Sequence, residues 1–375
     1  MTAERSSSSC RCDCRHARSD PLALSRIHVT TLRCLRDAEL GLDPAITYIL
    51  GPNGAGKTSL LEAVFLLGRG RSFRTRQVRR LVTRGHSEFA VFGEVATGSR
   101  NRRVGVAWSH GRLEKRIDGE PASGAAALAA LFPVHVLDPG SHELVQGTPS
   151  ERRRFLDWGV FHVEHDYLQT WRRYRRLLSQ RNAALKAGAG TGELGAWSVA
   201  LAEAGEDVHD LRSRYLSVLK PAVAAVGAAL LRQPLTLDYA PGWDPSEGLL
   251  AALERHSARD RQLGTTEAGP HRADVTVMLG SGLARDEASR GQQKLAAAAL
   301  VIAQTRVHAQ QVGSPGTLLV DDPAAELDTA ALSRLMDALL EASAQLVITG
   351  LTSAQLPVRA GFPVFHVEHG EVRAL

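Results

Sequence analysis

"GPNGAGKTS" spans residues 51–59, and how it is read decides the fold of the rest of the chain. It fits the pattern G-x-x-x-x-G-K-[ST]. Gly51, Gly54 and Gly56 let the backbone curl until its N–H groups point inward, where phosphate oxygens bind. A following helix adds the positive end of its dipole. Lys57 is placed to reach β- and γ-phosphates, and the Thr58 hydroxyl suits Mg²⁺. The loop therefore offers Gly51, Pro52, Asn53, Gly54, Ala55, Gly56, Lys57, Thr58 and Ser59 to a nucleotide, with ATP and Mg²⁺ as the expected cofactors. Its surroundings agree. "ITYIL" (46–50) is a short apolar run that ends at glycine and predicts a strand. From Thr58 the period changes: Leu60, Leu61, Val64, Phe65 and Leu67 recur at helical spacing, with Gly68 as a stop.

A second tract, "TLLVDDPAAELD" (317–328), supplies what the loop lacks. An apolar strand ending in Asp321 brings a carboxylate to the C-terminal edge of a sheet, beside the phosphate loop, where it can hold Mg²⁺ through water. Asp322 is placed to orient or deprotonate an attacking water. Two aspartates that merely end a strand are the plainer alternative, and it loses ground in a chain with a complete phosphate loop. "SRGQQKL" (289–295) opens another helix with Ser289, Gly291 and Gln292. Such a turn binds phosphate through N–H groups and a hydroxyl. One ATP does not need two cradles from one chain. A two-fold dimer does supply two, each ATP lying on one subunit's loop and under the other's turn. The stretch resembles the signature of ABC-type ATPases. Any helix can begin Ser-x-Gly, so its weight comes from standing ahead of the Asp321 strand.

The chain has 375 residues, 44% hydrophobic and 23% charged, enough for one large core or two. No apolar run of the roughly 18 residues that span a membrane is read in it. The Ser-rich start has no apolar core for a secretory signal. Net charge +5 and a pI near 9.2 favour an acidic partner such as nucleic acid. Arginine far outnumbers lysine, so genome composition shares in that charge. Cys10, Cys12 and Cys14 form "CRCDC", without the two-residue gaps of common zinc sites. Residues 1–23 are expected to be a disordered extension, and the remaining Cys34 fits a reducing cytoplasm.

Strands are predicted at "RIHVTTL" (26–32), "FAVFGEV" (89–95) and "RRVGVAW" (102–108), the last two in an antiparallel sheet beside the first. From about 150 to 260 the pattern turns helical. One helix over 171–186 puts Trp171, Tyr174 and Leu178 on one face, and a second, over about 197–230, is expected to break near Pro221. Strand signals return at "ADVTVML" (273–279), "TLLV" (317–320) and "QLVIT" (345–349), with an Ala/Leu-rich helix at about 290–310. No heptad run is long enough for a coiled-coil arm. "VFHVEH" occurs at 160–165 and 364–369; its His-x-x-His spacing raises metal ligation, but the two copies fall in different contexts.

On these residues the chain resembles the RecF family, bacterial recombination-mediator ATPases related to SMC proteins. The resemblance covers about residue 24 to the end. Besides the loop it rests on "LEAVFLLGRGRSFR" (61–74), "RRRFLDWGVFHVEH" (152–165), "RRLLSQRNAAL" (175–185), "RDRQLGTTEAGPHRAD" (259–274), "SRGQQKL" and "VDDPAAELD". It implies that Ser289, Gly291 and Gln292 meet the γ-phosphate across a dimer. Asp328 would lie in the D-loop, Thr349 at the switch position, and Arg33 near the nucleotide. Leu32-Arg33-Cys34 stands where the family often has Phe-Arg-Asn, and Gly140 stands where an acid usually follows the proline here numbered Pro139. The Q-loop glutamine has no clear match beyond Gln146. Asp322 stands where transporters carry Glu; the shorter carboxylate suits a slow ATPase. Arg290 occupies a place where many signatures have a second glycine, and no physical reason for arginine is evident.

The expected architecture is α/β: an ABC-type ATPase head, a P-loop NTPase, built from 24–110 and 262–375, with a mainly helical lobe inserted at 111–261. Lys57, Asp321 and Asp322 carry the catalysis, and Thr58 and Asp321 the metal. The resemblance implies an ATP-dependent homodimer that clamps duplex or gapped DNA in the cytoplasm, at the nucleoid. It further implies SOS-linked gap repair that helps load RecA, with RecR and RecO as partners and no membrane. Arginines at 69–84 and 152–176 are candidate phosphate contacts. A transporter ATPase would need membrane partners, and a structural SMC protein would need an arm. An ATP-binding scaffold with negligible hydrolysis is the remaining rival.

Overall fold

The computed structural model describes residues 22–98, 100–314, 316–325 and 327–375. Most of the expected N-terminal extension, with Cys10, Cys12 and Cys14, lies outside the described residues. The first strand, β1 (Ala23–Leu32), starts earlier than the expected Arg26. Its extra length is set by distant pairing: Ala23 and Leu24 pair with Ala96 and Val95. The Leu24 N–H also donates to Gln345 Oε1 at 2.9 Å, and Gln345 Nε2 donates back to the Leu24 carbonyl at 2.8 Å.

The chain continues through β2 (Leu35–Gly41), β3 (Ile46–Leu50), α1 (Lys57–Arg69), β4 (Phe89–Thr97), β5 (Arg100–Ser109), β6 (Arg112–Ile117), β7 (Glu120–Pro121), α2 (Ala125–Leu131) and β8 (Val134–Leu137). Then come α3 (Glu143–Gln146), α4 (Pro149–Val163), α5 (Tyr167–Lys186), α6 (Thr191–Leu231), β9 (Leu235–Ala240), α7 (Gly248–Arg255), α8 (Ser257–Leu263), β10 (Asp274–Leu279), β11 (Gly282–Leu283), α9 (Ala284–Glu287) and α10 (Arg290–Val312). The end is β12 (Thr317–Val320), α11 (Thr329–Leu340), β13 (Gln345–Gly350), β14 (Val364–Glu368) and β15 (Glu371–Ala374).

Two six-stranded sheets dominate. One is antiparallel, in the order β2-β1-β4-β5-β6-β7; the other runs β15-β14-β3-β13-β12-β8 and is parallel except at the β14–β15 hairpin. The parallel strands are buried on both faces and so read as continuous apolar runs. Alternate residues feed two different cores. Leu319 and Val347 pack with α1 and the antiparallel sheet, whereas Leu318, Val320, Leu346 and Ile348 pack with the helices.

The boundaries of the inserted lobe need correction. Residues 112–121 belong to the antiparallel sheet, and β8 is an edge strand of the parallel sheet, in register with β12 (Leu137 beside Val320). At the other end β10 pairs with β9, so residues 274–279 go with the helical lobe. Short strands inside an Ala-rich stretch carry too little periodicity to show in sequence.

α6 also departs from expectation: it runs through Pro221 as one helix. Pro221 is on the exposed side, while Leu201, Val208, Tyr215, Leu219, Val223, Val226 and Leu230 form a buried seam on both sides of it. Packing against α5 and α10 outweighs the local cost of the proline. The same helix overturns the reading that no membrane-length apolar run exists. It contains an 18-residue window of mean hydropathy 1.4. Here that apolarity is spent in the core between α5 and α10.

Several arginines pin the lobe. Arg181 is fully buried with Asp260; it donates to Asp260 Oδ2 at 2.8 Å, Thr266 Oγ1 at 2.7 Å and Ser198 Oγ at 3.0 Å. Removing one partner of such a pair strands the other charge in the interior. Arg181→Met is therefore expected to cost about 3–5 kcal/mol in urea unfolding of the full chain. Adding Asp260→Leu should recover part of it; a loss below about 1 kcal/mol for the single variant would contradict this role.

Candidate functional site

β3 ends at Leu50 and α1 starts at Lys57, so the loop between them stands at the C-terminal edge of the parallel sheet. Gly51 has φ +155°, and a Cβ there would lie 2.1 Å from the Val367 carbonyl oxygen. Gly56, at φ +122°, would put a Cβ 3.1 Å from Cys34 Sγ. Only glycine fits either position. Pro52, Asn53 and Gly54 form an exposed rim, with Ala55 buried beneath it.

Lys57 is 6% exposed and donates to the carbonyls of Gly51 (2.7 Å) and Pro52 (3.0 Å). Burial pulls its pKa down, while Asp322 and Asp321 oppose that shift. Thr58 Oγ1 donates to Asp321 Oδ2 at 2.9 Å and Oδ1 at 3.1 Å. Thr349 Oγ1 donates to Asp321 Oδ1 at 2.8 Å and accepts the Asp322 N–H at 3.0 Å. Asp322 takes a left-handed backbone, φ 47°, which costs an L-residue roughly 1 kcal/mol. Burial first, and then Asp321, push the Asp322 carboxyl up, against the pull of Lys57 and Lys294. A carboxylate with a raised pKa is the better base.

Thr58 and Asp321 test well as a Mg²⁺ pair. Both are hard oxygen donors at the mouth of the phosphate loop, the donor type that Mg²⁺ prefers.

The structure thus gathers Lys57, Thr58, Asp321, Asp322 and Thr349. It places the remaining expected residues elsewhere. Ser289 is exposed at the N-cap of α10; its hydroxyl accepts the Gln292 N–H at 3.3 Å, and its own N–H donates to Gln292 Oε1 at 2.9 Å. Gly291 has ordinary φ and open space where a Cβ would stand, so nothing in its own chain requires glycine. Asp328 is exposed and caps α11, accepting the Ala331 N–H at 2.7 Å. Arg33 gives Nε and Nη2 to buried Glu62 on α1, at 2.8 and 3.0 Å, and Nη1 to the Arg80 carbonyl. Its guanidinium braces α1 one turn beyond Thr58. Ser59 is buried with its hydroxyl 3.8 Å from Cys34 Sγ, so it lines the loop's underside.

Asp138 escaped notice in the sequence. It leaves β8 beside Asp321, whose N–H bonds the Leu137 carbonyl at 2.8 Å. Burial, and behind it Asp321, raise its pKa. With Ser141, Lys294, Asp321 and Asp322 it lines a cleft between the sheet edge and α10. "VLDPG" has the form of a strand ending in Asp, which was the available signal. Gln146, the Q-loop candidate, is exposed at the end of α3. The "VFHVEH" copies fall on α4 and on β14, and no group of three potential metal ligands occurs among the described residues.

The family described as RecF/RecN/SMC N terminal domain matches residues 23–371. The DNA replication and repair protein RecF of Xanthomonas euvesicatoria pv. vesicatoria is 42% identical over 359 residues, covering 92% of this chain and 97% of that one. RecF of Stenotrophomonas maltophilia is 40% identical, covering 94% and 100%. Among solved structures, a recombination mediator protein RecF with ATP, from the RecFOR pathway, superposes with a TM-score of 0.84 at 26% identity, over 96% of this chain and 99% of that one. An Smc head bound to the C-winged helix domain of ScpA gives 0.60 at 15% identity, over 94% and 96%, a likeness of fold alone.

Proposed function

Because the chain belongs to the RecF family of DNA replication and repair proteins, sharing 42% identity with one relative over 92% of its length, we propose that it is an ATP-dependent DNA-binding recombination mediator. The carrying observation is a division of labour. Thr58, Asp321, Asp322 and Thr349 form one hydrogen-bonded cluster with the Lys57 ammonium close enough to feel both carboxylates, whereas Ser289 and Gly291 face outward on a capped turn that its own chain leaves uncovered. The site is completed by a second copy.

ATP lies on residues 51–58, its β- and γ-phosphates on Lys57 and the loop N–H groups. Thr58 and Asp321 would hold Mg²⁺, which would neutralise phosphate charge. Asp322 accepts a proton from the attacking water, and its bend is fixed by the bond from its N–H to Thr349. Ser289, Gly291 and Gln292 of the second copy close over the γ-phosphate. The resulting dimer grips duplex or gapped DNA, and slow hydrolysis releases it. By family likeness the setting is the cytoplasm, where the protein helps load RecA with RecR and RecO. Sedimentation with and without ATP, on duplex, gapped and single-stranded DNA, tests this. A chain that stays monomeric with ATP and DNA together overturns it.

The two arginine clusters divide as well. Arg152 is bidentate on Asp274, Arg153 donates to the Ala273 carbonyl, Arg154 pairs with Glu151, and Arg175 stacks over Trp171. Arg71, Arg74, Arg76, Arg79, Arg80 and Arg84 are exposed, and among the described residues none of them has an ion-pair partner. The second set is the phosphate track. Changing Arg76, Arg79 and Arg80 to Ala is expected to weaken binding equally across DNA sequences. It should lower the slope of log K against log salt by roughly 2 to 3. An unchanged slope would move the DNA elsewhere.

A further inference from the structure

Elements that leave the nucleotide site meet again deep between the lobes. α1 starts at Lys57 and ends at Arg69; β8 runs past His135 towards Asp138; α10 starts at the Ser289 turn and passes His308. α4 adds Trp158 and His162. Trp158 is the hub. Its ring centroid lies 3.6 Å from that of His135, 4.1 Å from His162 and 5.8 Å from His308. The Arg69 guanidinium stands 5.6 Å above the same ring.

Four polar atoms of this cluster are unsatisfied. Trp158 Nε1, His135 Nε2, His162 Nε2 and His308 Nδ1 are all buried without a hydrogen-bond partner. Interiors rarely tolerate one such atom, and here four converge. The groups facing one another are cations or potential cations: Arg69, His308 and His162 act on His135, Arg69 and His308 act on His162, and Arg71 acts on Arg69. No three of these side chains are arranged to hold a metal ion.

We propose that the cluster of Arg69, His135, Trp158, His162 and His308 is a protonation-sensitive joint. It holds the phosphate-loop helix, β8 and α10 in one arrangement, and a proton on any of its histidines loosens it. The joint operates within a single chain, so it stands whether or not two copies associate.

The sign follows from burial. Desolvation and neighbouring positive charge put His135 and His162 well below the ordinary 6.5, and burial puts His308 at about 4. Packed histidines are therefore neutral, and released ones take up a proton near 6.5. The arrangement is strongest above about pH 6.5 and weakens as pH falls from there towards about 4. At pH 5.5 each histidine disfavours it by about ten-fold.

Amide hydrogen exchange on the full chain, corrected for intrinsic rates, tests the joint at pH 7.8 and 5.5. In the wild type, exchange in α4 and the second half of α10 should rise at least ten-fold at the lower pH, relative to β4 and β5. In His162→Phe/His308→Phe, which keeps only His135 of the three, the rise should be at least ten-fold smaller than in the wild type. With the series extended down to pH 4, Arg69→Met should make the loosening level off at a higher pH while its onset near 6.5 stays put, because packed histidines without that cation take a proton more readily. The same acid profile in wild type and double variant, or acid opening spread evenly over the chain, overturns the proposal. If the double variant fails to fold, acid loosening in Arg69→Met that levels off at the wild-type pH does so alone.

Discussion

A Lys57→Met chain is expected to lose ATP-dependent self-association and DNA binding together. Methionine keeps the length and the apolar stem but removes the ammonium that now bonds the Gly51 and Pro52 carbonyls in a position that is 6% exposed. The loop's shape rests on its glycines, so the fold should survive. What goes is the charge that faces two phosphates. Hydrogen bonds between charged groups are worth about 1.5–3 kcal/mol each, so ATP affinity should fall by about a hundred-fold or more. Calorimetry reads that loss directly, and sedimentation reads the missing dimer. DNA binding that persists with wild-type salt dependence would show that the phosphate track works without the clamp.

Ser289→Arg should separate the two halves of the nucleotide site. The residue is exposed and its bonds stay within its own turn, so losing the cap costs only about 1 kcal/mol of helix stability. It is outside the cluster around Lys57 and Asp321, and ATP binding by the single chain should change less than two-fold. A long cation at the surface meant to close over a partner's γ-phosphate fills the space that serine and glycine leave open. The dimer dissociation constant with ATP should then rise at least a hundred-fold. Wild-type dimerisation by this variant would rule out the shared site.

The parts of this site that were legible in sequence are those with short-range grammar. β3 and α1 declare themselves by a change of period across a glycine loop, and Asp321 by ending an apolar run. Ser289 was legible as a helix start, since its cap partner Gln292 is one turn away. Asp138 was not, because its strand has four residues and its meaning comes from lying beside β12. The arginines were the hardest. Nothing near Arg152 announces that Asp274 will take its charge, whereas Arg79 and Arg80 look the same in sequence and are left free. Arg33 was read towards the nucleotide, but buried Glu62 holds it. Pro221 broke the α6 pattern on paper because the apolar seam that overrides it is a tertiary fact.

The order of the parallel sheet governs how the protein is made. β3 lies between β14 and β13, and β1 is stitched to the first residue of β13 through Gln345. At a synthesis rate of 5–20 residues per second, β3 waits roughly 15–60 seconds for its neighbours to be made. During that time its two hydrogen-bonding edges have no native partner strand. The helical lobe, whose strands and helices are nearly contiguous in sequence, can close first. The sheet that carries the phosphate loop is therefore incomplete until almost the whole chain has emerged.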